Sequence, residues 1–401
     1  MKYDFTTIMD RKGKDALALD ALGTGFAPGL PDEGFRPIPM WVADMNYPVL
    51  PAIQEHVIRR VQHPAFGYFQ PSQEYYQAII RWQKERNHVD GLDASCIGYE
   101  NGVLGGLMSA LRALCLSGDN VLLHTPAYIG FTHSLKSAGY HLIPSSLKKD
   151  QDGIWRMDLE DMEKKIREQA IHVMIFCSPH NPTGRVWTVS EMEDMLSVCR
   201  KYDVSVISDE IWSDIILTHS HTAHTPLFMV NEDARERTIS LYAPSKTFNL
   251  AGLIGSYHII FNERMRHLVT RAGSITHYNE MNVLSMHALI GAYSDEGQIW
   301  VDELRQVLSE NVRYAVSRIR SGWEGVDVSM PEGTYMLFLD CEQYCRRKNM
   351  TMDELLKAGW RVGVAWQDGR PFGGTHTIRM NLALPAVLVE EAFDRLERYV
   401  F

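Results

Sequence analysis

Between residues 120 and 261 five short apolar runs recur: Asn120–His124, Ile171–Cys177, Val204–Ile207, Thr238–Tyr242 and Tyr257–Phe261. Each has the length of a strand. Longer amphipathic stretches between them, such as Asp158–Gln169 and Ser190–Lys201, have the length and period of helices. Ser190 followed by Glu193 reads as a capped start of the second helix. Strands alternating with helices predict an α/β fold, a doubly wound, mostly parallel sheet. Such a sheet takes its ligands beyond the carboxyl ends of its strands. The residues just after each run are therefore the ones to read for chemistry.

The flanks have a different character. Residues 1 to 48 are rich in Gly and Pro, as in Gly23–Pro31, and read as an arm with little regular structure. The arm is expected to join a small C-terminal domain, residues 291–401, beside a large domain, residues 49–290. The small domain is expected to be α+β. It has a long helix over Asp295–Arg320, short strands at Thr334–Leu339, Val362–Trp366 and Thr377–Leu382, and a last helix over Ala386–Tyr399. The 401 residues are 45% hydrophobic and 22% charged, ample for a large core. A net charge of −10 without any basic block speaks against nucleic acid. No apolar run approaches the roughly 20 residues of a membrane-spanning helix. The N-terminus lacks the apolar core of a signal peptide. The six cysteines form no Cys-x2-Cys pair, so free thiols in a cytoplasmic protein are expected rather than zinc or disulfides.

Three polar residues follow three of the runs. Asn181 lies in Ser178-Pro-His-Asn-Pro-Thr-Gly184, Asp209 in Ser208-Asp-Glu210, and Lys246 in Ala243-Pro-Ser-Lys-Thr-Phe-Asn249. A lysine among small and apolar residues is costly to keep charged, and one use for it is an imine to a cofactor aldehyde. An acid in the same place suits a pyridine nitrogen that must stay protonated, and an amide suits the ring's O3′. The set points to pyridoxal 5′-phosphate (PLP). A phosphate needs backbone N–H groups at a helix start, and Gly102 and Val103 supply one, with Asn101 as the expected N-cap and Ser245 adding a hydroxyl. The glycine pattern here is not Gly-x-Gly-x-x-Gly, which disfavours a dinucleotide.

These motifs together resemble the fold-type I PLP enzymes of the class I/II aminotransferase superfamily. Within it, Pro39-Met-Trp-Val-Ala-Asp-Met45, Phe66-Gly-Tyr-Phe69 and Ala243–Leu253 are similar to the cystathionine β-lyase subgroup of the MalY/PatB type. The resemblance implies a seven-stranded-type sheet and a homodimer whose active sites are shared between subunits. It implies that Tyr128 stacks on the pyridine ring and that Tyr68 reaches the phosphate bound by the partner. It gives Arg379, in Thr377-Ile-Arg-Met-Asn381, the substrate α-carboxylate, and places Trp41 at the substrate entrance. It implies a small-molecule amino-acid substrate and a carbon–sulfur β-lyase that releases pyruvate, ammonia and a thiol.

Two positions depart from the wider pattern. Trp212 stands where relatives carry Tyr or His, and Ile254 where many carry a phosphate-binding Arg. Amino-group transfer and racemisation would use the same residues as β-elimination, so the residues alone leave all three open. A PLP-fold protein without catalysis, acting as a binding partner, is the reading from another class, and the intact Lys246 and Asp209 oppose it. His219, His221 and His224 read as a solvated turn, with no metal site.

Overall fold

The computed structural model describes residues 1–275 and 277–401. Seven strands pair into one sheet in the spatial order Ile97–Glu100, Ser256–Ile259, Thr238–Tyr242, Ser205–Asp209, Val173–Cys177, Asn120–Thr125 and His141–Ser146. The last five are mutually parallel, and Ser256–Ile259 runs antiparallel to both its neighbours. All five strands expected from sequence are present, Thr238–Tyr242 at its expected ends and the others with ends shifted by at most two residues. The two that sequence reading omits are the edges. One is a four-residue strand, and the other, His141–Ser146, is mostly exposed or half-buried and so lacks the apolar signature.

Period-two alternation builds both faces of this sheet. Val121, Leu123, Val173, Ile175 and Ile207 pack on one side with Leu107, Leu111 and Phe131. Leu122, Met174, Phe176 and Val206 pack on the other with Met192, Met195, Leu196 and Ile166. The helices that supply these partners are Val103–Leu114 and Ile129–Ser137 on the first side, and Leu159–Glu168 and Val189–Lys201 on the second. The last of these begins two residues earlier than Ser190 and Glu193 suggest. Thr188 is its cap, in a reciprocal box with Glu191. The Glu191 carboxylate also takes Arg156 and Arg185, charge-assisted bonds that Glu193 does not make.

A second sheet has the order Ile38–Met40, Val364–Asp368, Thr377–Asn381, Met336–Asp340, Asp327–Val328. Its first strand comes from the arm and pairs in parallel with Val364–Asp368; the other pairings are antiparallel. The arm thus carries more structure than its Gly and Pro content suggests, with the short helix Leu17–Asp20 as well. The helix Asp295–Gly322 buries a stripe of Trp300, Val301, Leu304, Leu308, Val312, Ala315 and Ile319.

The helix Pro51–Gln62 leads into the exposed segment that holds Tyr68, and it packs against Val283–Ala292. Gly291 sets that approach: an added Cβ would lie 2.8 Å from the Ala52 carbonyl oxygen and 2.9 Å from the Ile53 Cα. Backbone cannot step aside as a side chain can. Gly291→Ala should therefore cost about 1–3 kcal/mol by overpacking, despite alanine's better helix propensity, and a lower urea midpoint with an unchanged slope is the expected readout.

Candidate active site

The parallel strands deliver their trailing residues to one cavity of about 210 Å³. Asp209 ends the strand Ser205–Asp209 and lies in register with Cys177, the last residue of its neighbour. Asn181 follows Cys177 in a loop closed by the Gly184 N–H donating to the His180 carbonyl. Gly184 adopts φ 71, and an added Cβ would meet Pro331 at 2.3 Å, so this loop can only sit against 331–333 with glycine here. Lys246 lies in the turn after Thr238–Tyr242. That turn is closed by Phe248 N–H to the Pro244 carbonyl and tied down by Thr247, which donates to Asp214.

Seven residues singled out from sequence line this cavity together: Gly102, Val103, Tyr128, Asn181, Asp209, Ser245 and Lys246. Ala43, Ile211, Trp212, Ala251 and Ile254 complete much of its wall. Gly102, at φ 78, is the N-cap of Val103–Leu114, and no side chain caps that helix. Asn101 is not the cap, because its amide donates instead to the Tyr278 carbonyl and its N–H goes to Asn279. The first N–H groups of the helix therefore stand beside the cavity with the positive end of the helix dipole, an arrangement suited to an anion.

Charge is expensive in this space. Asp209 is buried and accepts one bond, from the Ile211 N–H at 3.0 Å. Burial pushes its carboxyl up to about 7. Lys246 donates from Nζ to the Ala43 carbonyl at 2.9 Å, with the Trp212 ring centroid 5.8 Å away. Burial, and then the nearby Arg379 guanidinium, bring the amine down to about 8. Arg379 lies outside the cavity wall and reaches it through Asn181, donating to Oδ1 at 3.2 Å and to the Trp41 carbonyl at 3.0 Å. Its Nε is buried without a partner.

Besides Arg379, two residues singled out from sequence do not line the cavity. The Trp41 indole is buried with Leu22 and Ala365 and donates to the Ala18 carbonyl, so only its backbone touches the site residues. Tyr68 is fully exposed in a separate groove with Phe66, Phe69 and Asn279. Sequence reading also passes over Glu210. This carboxylate is fully buried beside Asp209 and accepts from Ser208, Ser240, Tyr242, His224 and the Leu227 N–H. His224 is accordingly buried against Glu210, not part of a solvated turn; His221 alone of the three histidines is exposed. The two serines on neighbouring strands, both facing Glu210, were the available signal. Among the described residues one set of metal-type ligands clusters, Cys115, Asp119 and His172. Burial holds the Cys115 thiol up at about 12, and the His172 ring is engaged by the Leu114 carbonyl.

The two shifted groups act on stability in different pH windows. The folded chain keeps the Asp209 proton up to about 7, whereas an unfolded carboxyl releases it at 3.8. The cofactor-free protein therefore loses stability as pH rises through that window. Lys246 gives up its proton at about 8 when folded and at 10.5 when unfolded, so its contribution rises with pH across the higher window. Asp209→Asn removes the first effect. Thermal melts of the cofactor-free variant should be higher than wild type at mildly alkaline pH and converge with it in acid; a lower melting temperature at alkaline pH would contradict this.

Comparison with known proteins covers nearly the whole chain. Residues 39–396 match the family model of aminotransferase class I and II. The chain is 30% identical over 390 residues to cystathionine β-lyase PatB of Bacillus subtilis strain 168, covering 97% of both chains. It is 30% identical over 393 residues to protein MalY of Escherichia coli strain K12, covering 97% of this chain and 96% of that one. The crystal structure of cystalysin from Treponema denticola, which contains PLP, superposes with a TM-score of 0.90 at 29% identity over 99% of this chain and 98% of that chain. With its sheet order, its cavity and this match over most of its length, the chain belongs to the class I and II aminotransferase family.

Proposed function

We propose that the protein is a PLP-dependent carbon–sulfur β-lyase that cleaves cystathionine- or cysteine-type amino acids to pyruvate, ammonia and a thiol. The observation that carries the proposal is a buried lysine amine and a buried aspartate in one cavity, each without an ion-pair partner at bonding distance. The name of the relative PatB, a cystathionine β-lyase, supports the reaction, and the PLP of cystalysin supports the cofactor. The cavity fits PLP on its own chemistry: an uncapped helix start for the phosphate, an aromatic wall at Tyr128, and an acid held ready for a ring nitrogen. When bound, PLP supplies an aldehyde for an amine and a ring that takes up an electron pair.

The chain's own residues then divide the work. Lys246 offers the amine, and once the substrate amine takes its place, Nζ is the base for the Cα proton; burial brings this amine down to about 8, so its neutral form is far more accessible near neutral pH than that of an ordinary lysine. The Asp209 carboxylate, which accepts only the Ile211 N–H from the chain, would hold the ring-nitrogen proton. Asn181 spends Oδ1 on Arg379, which leaves Nδ2 to donate into the cavity. Arg379 has an unpartnered Nε and two N–H groups on neutral oxygens, so a substrate carboxylate is a better acceptor than any it now has. Gly102, Val103 and Ser245 hold the phosphate, and Trp41 fixes Arg379 through its carbonyl.

A second copy of the chain completes the site in this reading. Tyr68, with the exposed Phe66 and Phe69, would reach the partner's phosphate, which accounts for an aromatic segment left in solvent. The three parts 1–48, 49–290 and 291–401 act as arm, large domain and small domain. Six buried free cysteines fit a cytoplasmic home, and no helix among the described residues is long and apolar enough to cross a membrane.

The deciding experiment is a coupled pyruvate assay with L-cystathionine, run beside an amino-transfer assay. Pyruvate and a thiol should appear without any 2-oxo acid; transfer that depends wholly on an added oxo acid would make the protein an aminotransferase. Lys246→Ala should lose turnover by many orders of magnitude with the fold retained, since the imine nitrogen and the base vanish together. Arg379→Lys should raise KM by about 10- to 100-fold, the worth of a charge-assisted fork, with a smaller change in kcat.

A further inference from the structure

Trp41–Asn46 of the arm runs between the Lys246 turn and the strand Thr377–Asn381 and has no regular secondary structure. Its path is defined by side chains on both flanks. Asn381 donates from Nδ2 to the Val42 and Asp44 carbonyls, both at 2.6 Å. Lys246 and Tyr335 both donate to the Ala43 carbonyl, at 2.9 and 3.1 Å. Asn249 takes the Met45 N–H at 3.0 Å and returns a bond to the Met45 carbonyl at 2.9 Å. Arg11 holds the Asp44 carboxylate from the outside. With Arg379 on Trp41, every carbonyl from residue 41 to 45 has a side-chain donor.

We propose that this segment is a strap that positions Lys246, and that Asn381 is the positioning residue that sets it. Asn381 is 1% exposed and does not line the cavity, so it meets Lys246 through the strap and not directly. Its carboxamide is the group the place requires: Oδ1 accepts the Ala383 N–H at 2.7 Å while Nδ2 serves two carbonyls. An aspartate would face both carbonyls with no donor. The strap brings two groups that favour a charged Nζ, the Ala43 carbonyl and the Asp44 carboxylate. Asp209 acts in the same sense from the central strand, and Arg379 opposes them from the small sheet. The phenols of Tyr128 and Tyr335 and the Cys177 thiol also face this space; burial holds all three neutral. Freeing the strap removes the two groups it brings and leaves Asp209 alone against burial and Arg379.

The inference rests on Lys246 being the amine that carries the cofactor. Its test is made on the full chain stripped of PLP, so a failure here leaves the lyase reading standing, and the pyruvate assay judges that reading separately. Trace acetylation with acetic anhydride over a pH series, read by mass spectrometry at the Lys246 peptide, gives the apparent pKa of this amine. In Asn381→Ala it should fall by about one unit, the worth of one hydrogen bond to a charged group. Asn249→Gly should shift it in the same direction; this residue has φ 58, which glycine accepts without strain, so the variant is expected to fold. Gly291→Ala, destabilised elsewhere, should leave it in place. An unmoved Lys246 profile in folded Asn381→Ala, or in Asn249→Gly if the first variant does not fold, overturns the proposal.

Discussion

Five neighbouring strands that point the same way must end in one plane, and that constraint underlies the rest of the molecule. Side chains just past those ends share a volume whatever their separation in sequence. Asn181, Asp209 and Lys246 meet for this reason, and Tyr128 joins them as the N-cap residue of a helix that follows a fourth strand. Helices on both faces keep the sheet dry, so the polar residues at its edge sit in a medium that penalises charge. The raised Asp209 and lowered Lys246 are two results of one cause, burial without a partner of opposite sign in contact.

Next to these unsatisfied groups lies a satisfied one. Glu210 is as deeply buried as Asp209, yet it has five donors, drawn from its own strand, the next strand and the 224–227 loop. The contrast separates structure from chemistry within one dipeptide. A carboxylate whose donors are all present locks the ends of two strands together. A carboxylate left with a single N–H is held in readiness for something that arrives later.

Much of this was legible in the sequence because the informative residues are local. Apolar runs mark the central strands, and the residue after each run marks the site. The last helix, Ala386–Tyr399, matches its expected ends. What sequence reading omits depends on distant partners. The edge strand His141–Ser146 is held by pairing with Asn120–Thr125 rather than by its own apolar content. The Thr188 cap beats Ser190 because Glu191 also finds two arginines. His224 looks like a loop residue until Glu210 is seen behind it. Asn249 and Asn381 close two of the motifs without a role being read for them, Tyr335 lies in none, and their shared target is backbone, which no side-chain pattern encodes.

The close seat of Gly184 on residues 331–333 has a temporal consequence. The Asn181 loop closes with the Glu332 and Gly333 N–H groups on the Gly184 carbonyl, and Arg185 pairs with Glu332. Arg379, which holds Asn181 from the other side, comes later still. A chain made from its N-terminus has its lysine turn, its aspartate and its helix start long before it has either support. Contacts so far apart in sequence close late, because the intervening loop must first lose its freedom. The nascent protein therefore has every residue that lines its pocket well before it has the two supports that fix the Asn181 loop, and the order of assembly makes that loop the last part of the pocket to be held.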